Sequence, residues 1–279
     1  MRRAPGCVLQ GHALSPHRAA RNRRVIGGAV GGAVGAAMSA AGGGVNRAAV
    51  RGEIRSASRN DVWLELLQRV RTLWIVKMTG TTLGISVFMM SYFWVLRNPS
   101  SEVTLMPLTA LDRAIGFHPW ALPIYLSLWV YISLGPAILR TGRELAGYGL
   151  ATFAVGLIGL GIFIVWPTAV APLAIDWTEY PSMTYLKQLD LAGNACPSLH
   201  VAFAVFTAIW LQRLLREIKA GPALLTLNWL WCLGILYSTV ATLQHVVLDV
   251  LAGALLGGLV AAVHVFATVR FARRKQAWT

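Results

Sequence analysis

Two histidines in this sequence have the neighbours and spacing best suited to chemistry. His245 precedes Asp249 by four residues in the stretch Ser238-Thr-Val-Ala-Thr-Leu-Gln-His-Val-Val-Leu-Asp, so on a helix the two share a face and can touch. His200 closes the stretch Asn194-Ala-Cys-Pro-Ser-Leu-His, where a polar loop runs into an apolar helix. A histidine held by a carboxylate at one ring nitrogen can attack phosphorus with the other, because the carboxylate fixes the tautomer and stabilises the developing imidazolium. A second histidine can protonate the leaving oxygen, a step worth about 10²–10⁴-fold. The pattern predicts phosphoryl transfer, with His245 as nucleophile, Asp249 as its orienting carboxylate and His200 as the acid. Donors to the phosphate are expected from the amides near Ser198 and Leu199, with Pro197 in the first turn of a helix, and from the Ser198 and Ser238 hydroxyls beside them.

Other readings compete at several of these positions. Ser198 is equally suited to cap a helix, and Asp249 to sit in a buried polar network. Cys196, four residues before His200, has the spacing of a thiol nucleophile and its base, but no further residue supports thiol chemistry. The three cysteines, Cys7, Cys196 and Cys232, are scattered and imply neither a disulfide framework nor a metal cluster. His118 and His264 read as interhelical hydrogen-bonding residues. Gly253, Gly257 and Gly258 read as a close helix contact.

The elements that must position these residues belong to a membrane. With 56% hydrophobic and 13% charged residues and a mean hydropathy of +0.58, the chain is far more apolar than a soluble domain. A net charge of +14 raises nucleic acid as a partner. The cations do not alternate with aromatics along a groove, however; they gather at the N-terminus and in short gaps between apolar runs, the positive-inside pattern. The predicted fold is all-α: a polytopic bundle of six transmembrane helices at about Leu73–Leu96, Trp120–Leu139, Leu150–Trp166, Ser198–Leu211, Leu224–Thr242 and His245–Val269, with Lys77 reaching back to the interface. An amphipathic stretch from Asp61 to Arg71 lies ahead of them. Loops at 97–119, with a short helix at Leu108–Ile115, and at 167–197 fall on the same side as His200 and His245. The basic clusters at 140–143, 213–219 and the C-terminus fall on the other, so the termini are expected in the cytoplasm and the site outside. At membrane depth an unpaired charge costs roughly 2.5–3.5 kcal/mol, so His200, His245 and Asp249 read as paired and functional.

Residues 1–60 are Arg-, Ala- and Gly-rich with no acidic residue before Glu53. They read as a disordered basic segment, a targeting segment, or the product of a start codon upstream of the true one. The small-residue spacing of 25–45 would suit a dimerising helix, which leaves homo-oligomerisation open. Residues 61–279 form the expected catalytic domain.

Pro197-Ser-Leu-His200 resembles the second motif, Pro-Ser-Gly-His, of the type 2 phosphatidic acid phosphatase superfamily. Ser238, His245 and Asp249 match its third motif, Ser-Arg, five residues, His, three residues, Asp, position for position. Leu199, the Val-Ala after His200 and the Gln244-His245 pair are more similar to the inositol phosphorylceramide synthase-like branch. The resemblance spans about Leu64 to the C-terminus. It implies the same histidine and aspartate roles and metal-independent chemistry without a cofactor, and attack by a histidine makes the expected covalent intermediate a phosphohistidine at His245. Two departures stand out: Thr239 replaces the motif's phosphate-binding Arg, and no Lys, six residues, Arg-Pro first motif is present, Trp166-Pro167-Thr168 being the nearest candidate by position. Another cation must meet the phosphate, and Lys187 is the first choice among Lys187, Arg97 and Arg113.

The expected protein is thus a phosphoric ester hydrolase or phosphotransferase of lipid metabolism. Its substrate is a lipid phosphate or diphosphate, with membrane lipids and no nucleic acid as partners. The expected setting is a bacterial inner (plasma) membrane, with the site facing the periplasm or exterior. A head-group transferase and a proton-coupled transporter using the His/Asp pair as a relay are the alternatives.

Overall fold

The computed structural model describes residues 61–172, 175–189 and 193–276; the basic segment 1–60 lies outside them. The chain runs through a helix at 61–71 (α1), α2 (Trp74–Arg97), β1 (Thr104–Met106), α3 (Ala110–Ile115), a 3-10 turn (Pro119–Ala121), α4 (Leu122–Leu126), α5 (Leu128–Ala137), α6 (Gly142–Val165), β2 (Thr168–Val170), a second 3-10 turn (Trp177–Glu179), α7 (Pro181–Leu189), α8 (Leu199–Glu217), α9 (Pro222–Ala241) and α10 (Val247–Gln276). Six of the described segments are long and apolar enough to cross a bilayer, which makes this an integral membrane protein with the expected helical bundle.

Several boundaries differ from the hydropathy pattern for local reasons. The third span starts eight residues early because Thr141 and Glu144 form a capping box there. The fourth runs on to Glu217, since Arg213 and Arg216 leave the apolar slab without ending the helix; Arg213 donates to Thr268 Oγ1 at 2.7 Å. The second is broken between α4 and α5, where Ser127 donates its hydroxyl to the Ile124 carbonyl. Lys77 does not reach the interface: it is buried, and its ammonium donates to the Arg69 and Ala137 carbonyls at 2.6 and 2.8 Å.

α8 is the central helix, packed against α10, α9, α5 and α6, and the most buried of the spans. Its contact with α10 is made backbone to backbone. A Cβ at Gly253 would run into the Ser198 carbonyl and one at Gly257 into that of Ala202, whereas Gly258 faces open space. Two of the three glycines thus make the close packing that their spacing predicts. At that end the loops are ordered by structure that the polar composition did not predict. β1 pairs in parallel with β2, Thr104 opposite Thr168 and Met106 opposite Val170, Ala169 bridges to Gly193, and α7 occupies part of the loop expected at 167–197.

Candidate active site

The close α8–α10 contact brings the two motifs together. Ser198 caps α8, accepting the Val201 amide at 3.3 Å with its hydroxyl, and its own N–H donates to the Asp249 carbonyl at 3.0 Å. Pro197 therefore precedes the cap and is not in the first turn. Ser198 acts as the cap, and the Leu199 and His200 amides are what the first turn leaves uncommitted. The Leu199 side chain goes into the main core, against Gly159. Ser238 is fully buried and gives its hydroxyl to the Ile235 carbonyl of its own helix at 2.7 Å.

His245 lies on the turn between α9 and α10, two residues ahead of Val247, so it does not share a helical face with Asp249 as the spacing suggested. The turn brings them together by another route. The Gln244 and His245 amides both donate to the Thr239 carbonyl at 3.1 Å, with Leu243 at a positive φ of 56°. From the first turn of α10 the Asp249 carboxylate reaches back to the Val246 amide, at 2.9 Å from Oδ2, which places that oxygen 3.6 Å from His245 Nδ1. The hydrogen bond of Nδ1 goes elsewhere, to the Ala195 carbonyl at 3.0 Å. Thr168 fixes the segment that carries that carbonyl, its hydroxyl accepting the Cys196 amide at 2.8 Å and its carbonyl the Ala195 amide at 3.2 Å. The Trp166-Pro167-Thr168 segment thus supports the site through Thr168 without supplying a cation.

A carbonyl only accepts, so His245 Nδ1 carries a proton, and in the neutral form of the ring the lone pair lies at Nε2. Nε2 faces His200 Nδ1 at 3.4 Å, which makes His200 Nδ1 the donor and leaves His200 Nε2 to accept from the Tyr125 hydroxyl at 2.7 Å. Protons are therefore ordered along Tyr125, His200, His245 and Ala195. Tyr125, buried on α4, was not singled out by the sequence, where it sits among apolar residues with no motif around it. Asp112 was also missed, although Thr109-x-x-Asp112 has capping-box spacing. Its Oδ2 accepts the Thr109 amide and hydroxyl at 2.7 and 2.6 Å, and its Oδ1 the Val247 amide at 2.8 Å. It joins α3 to the start of α10.

Around this centre the polar inventory is incomplete. Asp249 is fully buried and its Oδ1 meets no N–H or O–H donor among the described residues; Gln244, 3% exposed, has neither amide atom bonded. The Cys196 thiol lies beside Asp249, and burial, with that carboxylate's charge, pushes its pKa up to about 11. That disfavours a thiolate nucleophile. Lys187 donates to the Leu243 carbonyl at 2.6 Å and lies over the Trp177 ring, bracing the His245 turn. Arg97 lies over Phe93 at the end of α2. His245 opens on a cavity of about 320 Å³, whose other lining residues include Asp112, Arg113, Phe117 and Val240. Among the described residues, no three His, Cys, Asp or Glu side chains converge as a metal site.

Residues 144–274, a little under half of the chain, match the model of the PAP2 superfamily. The match takes in His200, His245 and Asp249 and supports a phosphatase- or phosphotransferase-type function; Asp112, Arg113 and Tyr125 lie outside it. No curated protein and no solved structure matches the chain.

Proposed function

We propose that this protein is a membrane-embedded lipid phosphatase or phosphotransferase that works through a phosphohistidine at His245. The observation that carries the proposal is the orientation of His245: Nδ1–H is anchored on the Ala195 carbonyl, Asp249 Oδ2 stands 3.6 Å away to stabilise positive charge, and the lone pair at Nε2 is turned toward His200. Attack by Nε2 on phosphorus would displace the lipid alkoxide while His200 delivers its Nδ1 proton to that oxygen. Tyr125 can share its proton with His200 Nε2 during that step, and takes it back when the acceptor's proton arrives at His200 Nδ1. Water or a second lipid alcohol then enters the vacated place, gives its proton to His200, and takes the phosphoryl group from His245.

Water as acceptor makes the protein a phosphatase, and a lipid alcohol makes it a head-group transferase. The Leu199 and Gln244 features of the inositol phosphorylceramide synthase-like branch favour the second. The basic clusters at the far end of the bundle favour cytoplasmic termini, with the site on the outer face of a bacterial inner membrane.

The test is turnover by purified protein in detergent of a panel of lipid phosphates and diphosphates, with and without inositol lipid donors. Release of phosphate, or transfer of a phosphorylated head group, is expected. Turnover with none of them, together with proton-gradient-driven solute uptake in vesicles, would replace this reading with a proton-coupled transporter.

A further inference from the structure

A phosphoryl group reacting at His245 needs a counter-charge, and the third-motif position cannot give one. Thr239 is fully buried, donates its hydroxyl to the Leu236 carbonyl at 2.7 Å, and uses its carbonyl to hold the turn of His245. The cavity that His245 helps to line is mostly apolar, and Arg113 is the one cation in its wall among the described residues. Asp112, its neighbour in the chain and in the cavity wall, does not compete for that cation as an ion-pair partner, since its two oxygens already accept three protein donors. Those bonds also fix α3 to the first turn of α10, so Arg113, the next residue of α3, is held in register with the His245 turn. Among the described residues the guanidinium makes one hydrogen bond, from Nη1 to the Leu108 carbonyl at 3.1 Å, and no ion pair. Most of its five donors are left for a ligand.

We infer that Arg113 is the phosphate-holding cation of this site, delivered on α3 from between the first two spans and outside the stretch that the family model matches. The inference rests on the phosphoryl-transfer reading above. It also narrows the substrate. A guanidinium binds one phosphate through two parallel N–H···O bonds, and among the described residues the cavity lining supplies no second cation for another. The site fits a lipid carrying a single phosphate, as a monoester or diester, and disfavours a diphosphate.

Orthovanadate inhibition and lipid monophosphate turnover, measured in detergent on the full chain, test this. Arg113→Ala should weaken vanadate inhibition and raise KM by about ten- to a hundredfold, the scale of charge-assisted hydrogen bonds. Arg113→Lys should recover part of the loss. Lys187→Ala should weaken vanadate inhibition less than Arg113→Ala does, and a diphosphate of the same chain length should be the poorer wild-type substrate. If Arg113→Ala does not fold, Arg113→Gln carries the same test. A wild type that neither turns over any lipid phosphate nor responds to vanadate would end the phosphoryl-transfer reading. An active wild type whose vanadate inhibition and KM are unmoved by loss of Arg113, or move more on loss of Lys187, would overturn this inference alone.

Discussion

Both ends of the bundle bury ionisable side chains, and they treat them in opposite ways. At the basic end, Lys77 and Arg69 are each 5% exposed. Lys77 is bonded to two carbonyls, and Arg69 is paired with Glu65 at 2.8 Å and Glu217 at 3.3 Å. At the other end, among the described residues, the fully buried Asp249 has an oxygen without an N–H or O–H donor, Gln244 has two amide atoms without partners, and the two imidazoles meet only at 3.4 Å. The Trp210 indole is the one other unbonded buried side-chain group among the described residues. Buried polar groups are normally satisfied, and a stranded one costs about 1–3 kcal/mol. Where every bond is made, burial serves the fold. Where bonds are missing, the fold bears a cost with no stabilising return, as expected where side chains are placed for chemistry.

The comparison predicts opposite signatures for substitutions at the two ends. The largest effect is expected from Asp249→Asn, with turnover falling by about 10³–10⁴-fold, as when a carboxylate beside a catalytic histidine is removed, and no loss of thermal stability. Wild-type turnover with lower stability would make Asp249 a structural residue. Lys77→Met should do the reverse, losing about 1–3 kcal/mol for each carbonyl it strands while turnover per folded molecule is kept. An activity loss larger than the loss of folded protein would show that the two ends are coupled.

Smaller effects sharpen the picture within the site. Tyr125→Phe removes the hydrogen bond to His200, so turnover should drop by about three- to tenfold. The sharper readout is ¹⁵N chemical shifts of labelled histidine: His200 should be protonated at Nδ1 in the wild type and a mixture of tautomers in the variant. An unchanged Nδ1–H tautomer would show that Tyr125 does not order the relay. The smallest effect concerns Cys196. With its pKa raised to about 11, the thiol stays protonated at neutral pH, and only above that value does the reactive thiolate dominate. Maleimide at pH 7 should leave Cys196 unlabelled in folded protein, and labelling should rise steeply only under strongly alkaline conditions. Rapid labelling at pH 7 would restore the thiol reading.

What the sequence made legible follows from the range of the signals. Hydropathy acts over some twenty residues, so six spans and their common site end could be read, and the glycine spacing located the α8–α10 contact at Gly253 and Gly257. The motifs named the histidines that the structure brings within 3.4 Å. Helical spacing gave the wrong route for His245 and Asp249, because the turn at Leu243 ends α9 and the next helix starts only at Val247. The supporting residues were illegible for the same reason. Tyr125 and Thr168 act through contacts made 75 and 28 residues away, and nothing in a local window marks such a partner.

The most direct measurement of the central claim is a rapid-quench experiment with a lipid monophosphate labelled at phosphorus. The account predicts acid-labile, base-stable label on the wild type, absent from His245→Ala, and net retention at a chiral phosphorus because two inversions occur. Inversion at that phosphorus, with no label trapped at any quench time, would contradict it and make His245 a general base for direct attack.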